Sequence, residues 1–159
     1  MDRAEHYGEI ITSICAQIEG ESDWIAVLST AIAELHNAFS WYDWTGFYRV
    51  VAPELMKVGP YQGGHGCLEI TFDRGICGAC ARSKEIQLVD DVNKRPEHIA
   101  CSTSTKSEIV IPLITAEGNL LAVLDVDSDQ EAAFNAVDAD NLERLCSILA
   151  QHPASPKER

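Results

Sequence analysis

Apolar residues recur every three or four positions early in the chain and every second position later, so the pattern changes from helical to extended part-way along. Between Glu9 and Glu19, Ile10, Ile11, Ile14, Cys15 and Ile18 fall on one helical stripe, and Gly20 is placed to end it. A second helix is predicted from Ser22, a capping residue, with Asp23 in its first turn. Its buried stripe is Trp24, Leu28, Ala31, Leu35 and Phe39. Trp44 to Val50 is dense in aromatic and β-branched residues and reads as a strand, with a turn at Pro53 to Leu55 and a partner strand from Met56 to Gly59. Residues 59 to 66 hold four glycines and Pro60, which predicts a loop. Leu68, Ile70 and Phe72 then alternate on one face of an extended segment. A short helix follows from Gly75 to Ser83, and a brief strand from Ile86 to Val89.

Asp90 to Thr105 has no periodicity and carries Pro96, His98 and Cys101; long loops of this kind usually serve function or are disordered. Glu108 to Ile114 and Leu120 to Asp127 read as two strands joined around Glu117-Gly118-Asn119. The last helix is predicted from an N-cap at Asp138 to Ala150, with Val137 and Leu142 as its hydrophobic staple. Hairpin connections imply a mostly antiparallel sheet with helices on one face, an α+β fold. No repeat or linker divides the chain, so residues 1–151 are expected to form a single domain, and 152–159, with two prolines, a flexible C-terminal tail.

Size and charge narrow the function. A chain of 159 residues with 46% hydrophobic and 23% charged residues can bury a full core. Its net charge of -13 repels phosphate backbones and anionic lipid, so neither nucleic acid nor membrane is an expected partner. Met1 to His6 offers no basic and no apolar leader region, and the apolar runs Ile109 to Ile114 and Leu120 to Leu124 are too short to span a bilayer. Six cysteines without a secretion signal read as reduced thiols in the cytoplasm.

Cys15 and Cys146 sit on apolar helix stripes and read as core filling. Cys67, Cys77 and Cys101 lie in or beside glycine-rich or loop segments, where packing and chemistry compete equally. Cys77 and Cys80 share a two-residue spacing found in redox and zinc motifs, but a single such pair is weak. Cys67, Cys77, Cys80 and Cys101, with His65 and His98, have the chemistry for four zinc ligands. Structural zinc normally replaces a missing core, and this chain has core enough; no metal and no cofactor are expected.

Asp125 and Asp127 alternate with Leu124 and Val126, so the two acids share a face, roughly 7 Å apart. Glu108 joins them if the hairpin lays its strand alongside. Three converging acids are costly unless they hold a cation or share a proton, which favours a site over a solvated strand end. Trp44, Gly46 and Tyr48 share another strand face; spacing alone fits an aromatic core face as well as a pocket for an apolar or sulfur-bearing group.

Together, Trp44-Thr45-Gly46-Phe47-Tyr48, Gly59-Pro60-Tyr61-Gln62-Gly63, Gly75-Ile76-Cys77-Gly78, Asp91-Val92, His98-Ile99-Ala100-Cys101, Lys106 to Val110 and Leu124-Asp125-Val126-Asp127 resemble the free methionine-(R)-sulfoxide reductases, which are built on a GAF domain. The resemblance implies a GAF-like central sheet flanked by the N-terminal helices and a C-terminal helix. It implies reduction of free, not peptide-bound, methionine sulfoxide, with recycling by thioredoxin. Cys101 resembles the attacking cysteine, Cys67 the resolving one and Cys77 a third participant or alternate partner. Glu108, Asp125 and Asp127 resemble the acids that hold the substrate ammonium and assist the sulfoxide oxygen, with Asp91 similar to another pocket acid. Trp44 and Tyr48 resemble the wall against the methyl-sulfur end. Cys80 departs from the family pattern, which leaves a Cys77–Cys80 reaction open. A homodimer through the terminal helices is expected by analogy with other GAF domains.

The chemistry expected is attack of a thiolate on sulfur while the oxygen is protonated and leaves. A free cysteine is only a few per cent ionised near neutrality, and acidic neighbours raise its pKa, whereas mutual repulsion keeps one acid protonated as a proton donor. The thiol becomes a sulfenic acid, a second thiol condenses with it, and an external dithiol resets the enzyme. The competing reading is a non-catalytic GAF module that senses a small ligand or redox state.

Overall fold

The chain opens with two helices, α1 (Arg3–Ile18) and α2 (Trp24–Ala38), and closes with a third, α4 (Ala136–Gln151). Between them run β1 (Trp44–Ala52), β2 (Leu55–Gln62), β3 (Glu69–Thr71), the short helix α3 (Gly75–Ser83), β4 (Gln87–Val89), a 3-10 turn (Val92–Lys94), β5 (Ser107–Ile114) and β6 (Leu120–Ser128). This computed structural model describes residues 1–99 and 101–157; Ala100 of the His98-to-Cys101 motif and residues 158 and 159 lie outside it. The strands form one antiparallel sheet in the order β3-β2-β1-β6-β5-β4.

Helix starts are set by side chains that satisfy first-turn N–H groups. Asp2 accepts from the Glu5 N–H at 2.8 Å and Glu5 returns the bond, so α1 begins earlier than its apolar stripe alone indicates. Asp23, not Ser22, caps α2, accepting from the Ala26 N–H at 2.9 Å. The cap of α4 is Asn135 rather than Asp138. Asp138 sits three residues in and accepts the Asn135 N–H at 2.8 Å. It also accepts from the Tyr7 hydroxyl at 2.7 Å and from Arg3 at 2.6 Å, and Tyr7 meets the Tyr42 hydroxyl at 2.5 Å. This buried cluster ties α1 to α4 and to the turn before β1.

The segment predicted as a loop from residue 59 begins as strand. β2 continues through Gly59 and Pro60, because the register shifts between Tyr48 opposite Val58 and Gly46 opposite Tyr61. Pro60 falls in that irregularity, where a missing N–H costs no ladder bond. The segment after α4 is docked where it was expected to be loose. A His152 ring nitrogen lies 3.0 Å from the Ile18 carbonyl, and buried Ser155 donates to the Ala150 carbonyl at 2.9 Å.

The sheet buries both faces. Phe47, Ile109, Ile111, Leu124 and Val126 pack against α1, α2 and α4 in the larger core. Tyr48, Met56, Val110 and Val123 face the other way, under Ile76, Cys77, Cys80 and Ala81 of α3. Helices therefore cover two faces, not one, and the second face is where the site forms.

Candidate active site

Pairing sets Trp44 opposite Asp127 and Gly46 opposite Asp125 across β1 and β6, while Glu108 stands opposite Asp127 across β5 and β6. Because side chains alternate along a strand, Trp44, Tyr48, Glu108, Asp125 and Asp127 all project to the face beneath α3. They line one cavity of about 30 Å³, together with Cys77, Cys101, His65 and His98. That volume admits a water or two, and is well below the few hundred Å³ of a small-molecule pocket. An open groove of about 460 Å³ adjoins it, sharing Trp44, His65, Cys101 and Asp127 as walls.

Two loops close the cavity, and a disulfide joins them. Cys67, after β2, is bonded to Cys101, 34 residues on, with a Cα–Cα distance of 5.4 Å. Cys15, Cys77, Cys80 and Cys146 are free thiols. Glycine lets the first loop approach: a Cβ on Gly66 would stand 2.7 Å from the Trp44 ring and 3.2 Å from the Tyr48 hydroxyl. Trp44 stacks between Tyr48 and Tyr61, with ring centroids 5.7 and 5.3 Å away.

The acids are held in a costly state. Burial pushes the Glu108 carboxyl well above its usual range, and the charges of Asp125 and Asp127 push the same way. Burial raises Asp125 to about 6, and burial with the charge of Asp125 raises Asp127. Cys77 lies in the first turn of α3, where a helix N-terminus favours thiolate. Burial and the charges of Asp125 and Glu108 outweigh that and push its thiol up. The Cys77 Sγ is 4.0 Å from Glu108 Oε1, and His98 Nδ1 is 3.9 Å from Glu108 Oε2. Burial holds the His98 imidazole below its usual pKa. Two polar atoms here, Trp44 Nε1 and Asp125 Oδ1, are buried without a hydrogen-bond partner among the described residues.

Eight of the nine residues singled out from the sequence are in contact with this arrangement: seven line the cavity and Cys67 is bonded to one of them. Asp91 stands apart. It caps the 3-10 turn, accepting from the Asn93 N–H at 3.0 Å, and lies 3.7 Å from Lys94 Nζ. The ligand set considered for zinc does not assemble either, since Cys67 and Cys101 bond each other and Cys80 points its thiol at the Val110 carbonyl, 3.8 Å away. Sequence reasoning passed over Tyr61, which sat in a segment read as loop, and His65, which carried no pattern beyond its glycine neighbours.

The GAF-domain family model matches residues 10–152, so this sheet with its flanking helices is a GAF domain. The free methionine-R-sulfoxide reductase of Saccharomyces cerevisiae is 40% identical over 151 residues, covering 89% of this chain and 84% of the yeast protein. The Escherichia coli protein of the same name is 32% identical over 149 residues, covering 94% and 89%. This chain belongs to the free methionine-R-sulfoxide reductase family. The X-ray structure of the Neisseria meningitidis reductase in complex with its substrate matches it with a TM-score of 0.89 at 38% identity, over 94% of this chain and 89% of that one.

Proposed function

We propose that this protein reduces free L-methionine (R)-S-oxide to methionine, with Cys101 as nucleophile and Cys67 as resolving thiol. The observation that carries the reading is the Cys67–Cys101 disulfide lying over a cavity lined by Glu108, Asp125 and Asp127. An oxidised thiol pair beside a proton-holding acid cluster is what one turnover leaves behind. With the disulfide reduced, the two loops part and the cavity opens into the adjoining groove, giving the amino acid room. Asp125 Oδ1, buried and unpartnered, accepts from the substrate ammonium, with Asp127 beside it. Trp44 and Tyr48 hold the methyl-sulfur end.

The Cys101 thiolate attacks the sulfoxide sulfur as Glu108, its carboxyl pushed toward the protonated form by burial, donates a proton to the sulfoxide oxygen. That hydroxyl passes to the Cys101 sulfur as the new S–S bond breaks. Methionine leaves and Cys101 is left as sulfenic acid. The Cys67 thiol displaces water from it to form the disulfide, and thioredoxin dithiol takes up the oxidation by exchange. Cys77 is buried and protonated, and as an alternate partner condenses with Cys101 too slowly to replace Cys67. A cycle that consumes thioredoxin belongs in the cytoplasm; among the described residues no helix is long and apolar enough to cross a membrane.

A coupled assay tests this directly. With thioredoxin, its reductase and NADPH, free methionine (R)-sulfoxide should drive NADPH oxidation and the (S) epimer should not. Cys101→Ser should abolish turnover with the fold retained. No NADPH consumption by the wild type would end the proposal.

A further inference from the structure

We propose that the disulfide-closed protein binds one thiophilic divalent cation, of the zinc class, through Cys77, Glu108 and Asp125. The Cys77 sulfur and one carboxylate oxygen from each acid lie within 4.8 Å of one another, and all three residues are buried. A second observation points the same way. Asp125, only 5% exposed, carries an Oδ1 with no hydrogen-bond partner among the described residues, and its side chain lines the cavity. A buried anionic oxygen left unsatisfied costs free energy that a cation would return.

Donor chemistry selects the ion. A tetrahedral cation with ligands at about 2.0–2.3 Å separates them by roughly 3.5 Å, so side-chain rotations of about an ångström close the set. Three protein ligands leave the fourth tetrahedral position to water. Sulfur beside carboxylates suits zinc or cobalt(II) and disfavours magnesium and calcium, which take oxygen ligands alone. The volume fits too: about 30 Å³ accommodates an ion but not an amino acid. None of the three donors is a half-cystine, so the site persists while Cys67 and Cys101 are bonded. Binding exchanges the protons of the thiol and carboxyl groups for the metal, with no change of oxidation state.

One consequence rests on the reductase reading above: zinc and the substrate ammonium compete for the same carboxylates, so zinc inhibits turnover.

The test is titration of the full-length, disulfide-bonded protein with cobalt(II). The expected result is a near-ultraviolet thiolate-to-cobalt absorption that saturates at one metal per chain and is displaced by zinc. It should be lost in Cys77→Ser and kept in Cys80→Ser. Glu108→Gln should weaken binding by at least roughly 10-fold, the lower end of what losing even an outer-shell partner of a metal site costs, and this arm decides the matter if Cys77→Ser does not fold. Absence of the thiolate absorption in the wild type, its survival in Cys77→Ser, or unchanged affinity in Glu108→Gln overturns the site. Zinc bound without inhibition of an active enzyme also overturns it, by placing the metal elsewhere. An enzyme with no turnover that still binds cobalt through Cys77 would overturn the reductase reading alone.

Discussion

Glu108 and Asp127 stand directly opposite each other across β5 and β6, two acids in a position where like charges repel most strongly. Asp125 follows one pleat along the same face, so the sheet builds in a cluster that cannot be fully ionised. Burial of this cluster pushes all three carboxyls toward the protonated form, which sets it apart from a solvated strand end.

The cluster sets a pH dependence of stability. An unfolded Asp125 releases its proton near 3.8, whereas the folded protein holds it to about 6. Between those values the folded state binds more protons, so stability falls as pH rises and the loss is complete above pH 6. Glu108 and Asp127 are raised as well and extend the fall in the same direction. Asp125→Asn should flatten the first part of the curve and raise stability at pH 8 by roughly 1–3 kcal/mol. Urea unfolding from pH 4 to pH 8 measures both; a variant curve parallel to the wild type would refute it.

Replacing Cys67, the proposed resolving thiol, separates the two halves of the proposed cycle. Cys67→Ser should release about one equivalent of methionine per chain in a reductant-free mixture and leave a sulfenic acid on Cys101. Thioredoxin-supported turnover should fall about tenfold or more, while a dimedone adduct found by mass spectrometry marks residue 101. An adduct on Cys77 instead would reassign the nucleophile.

Gly46 gives the aromatic wall its room. A Cβ there would stand 2.5 Å from the Tyr61 Cβ and closer still to the Trp44 ring, so neither neighbour yields by rotating a flexible tip. Gly46→Ala should destabilise by about 1–3 kcal/mol and raise KM for the sulfoxide more than it lowers kcat. Thermal melts and steady-state kinetics together check this; unchanged KM with lost stability would show that the stack is structural only.

A control lies on the opposite side of the sheet. Tyr7→Phe removes the hydroxyl shared by Tyr42 and Asp138, leaving two buried groups short of a partner. Stability should drop by roughly 1–3 kcal/mol with kcat unchanged. A large loss of kcat at temperatures where the variant is folded would contradict the separation of the two cores.

The helices, the hairpin of β5 and β6, and the shared face of Asp125 and Asp127 were all legible in the chain, because periodicity is a local property. Local signals misled at Gly59 and Pro60, where a register shift against β1 accommodates residues that usually mark a loop. They also misled at Asp138, whose burial among Tyr7, Arg3 and the Asn135 N–H uses its carboxylate inside the helix rather than at the cap.

By itself, then, the amino-acid order determined which residues are extended and which are helical, and it marked the thiols and acids that are candidates for chemistry. Tertiary structure alone decided that Cys67 meets Cys101 rather than Cys77 or Cys80, that Asp91 caps a turn away from the cavity, and that Tyr61 stacks on Trp44. The reason is one of range: side-chain alternation is fixed between neighbours, whereas contact across 34 residues depends on how two loops cross a sheet assembled from every strand.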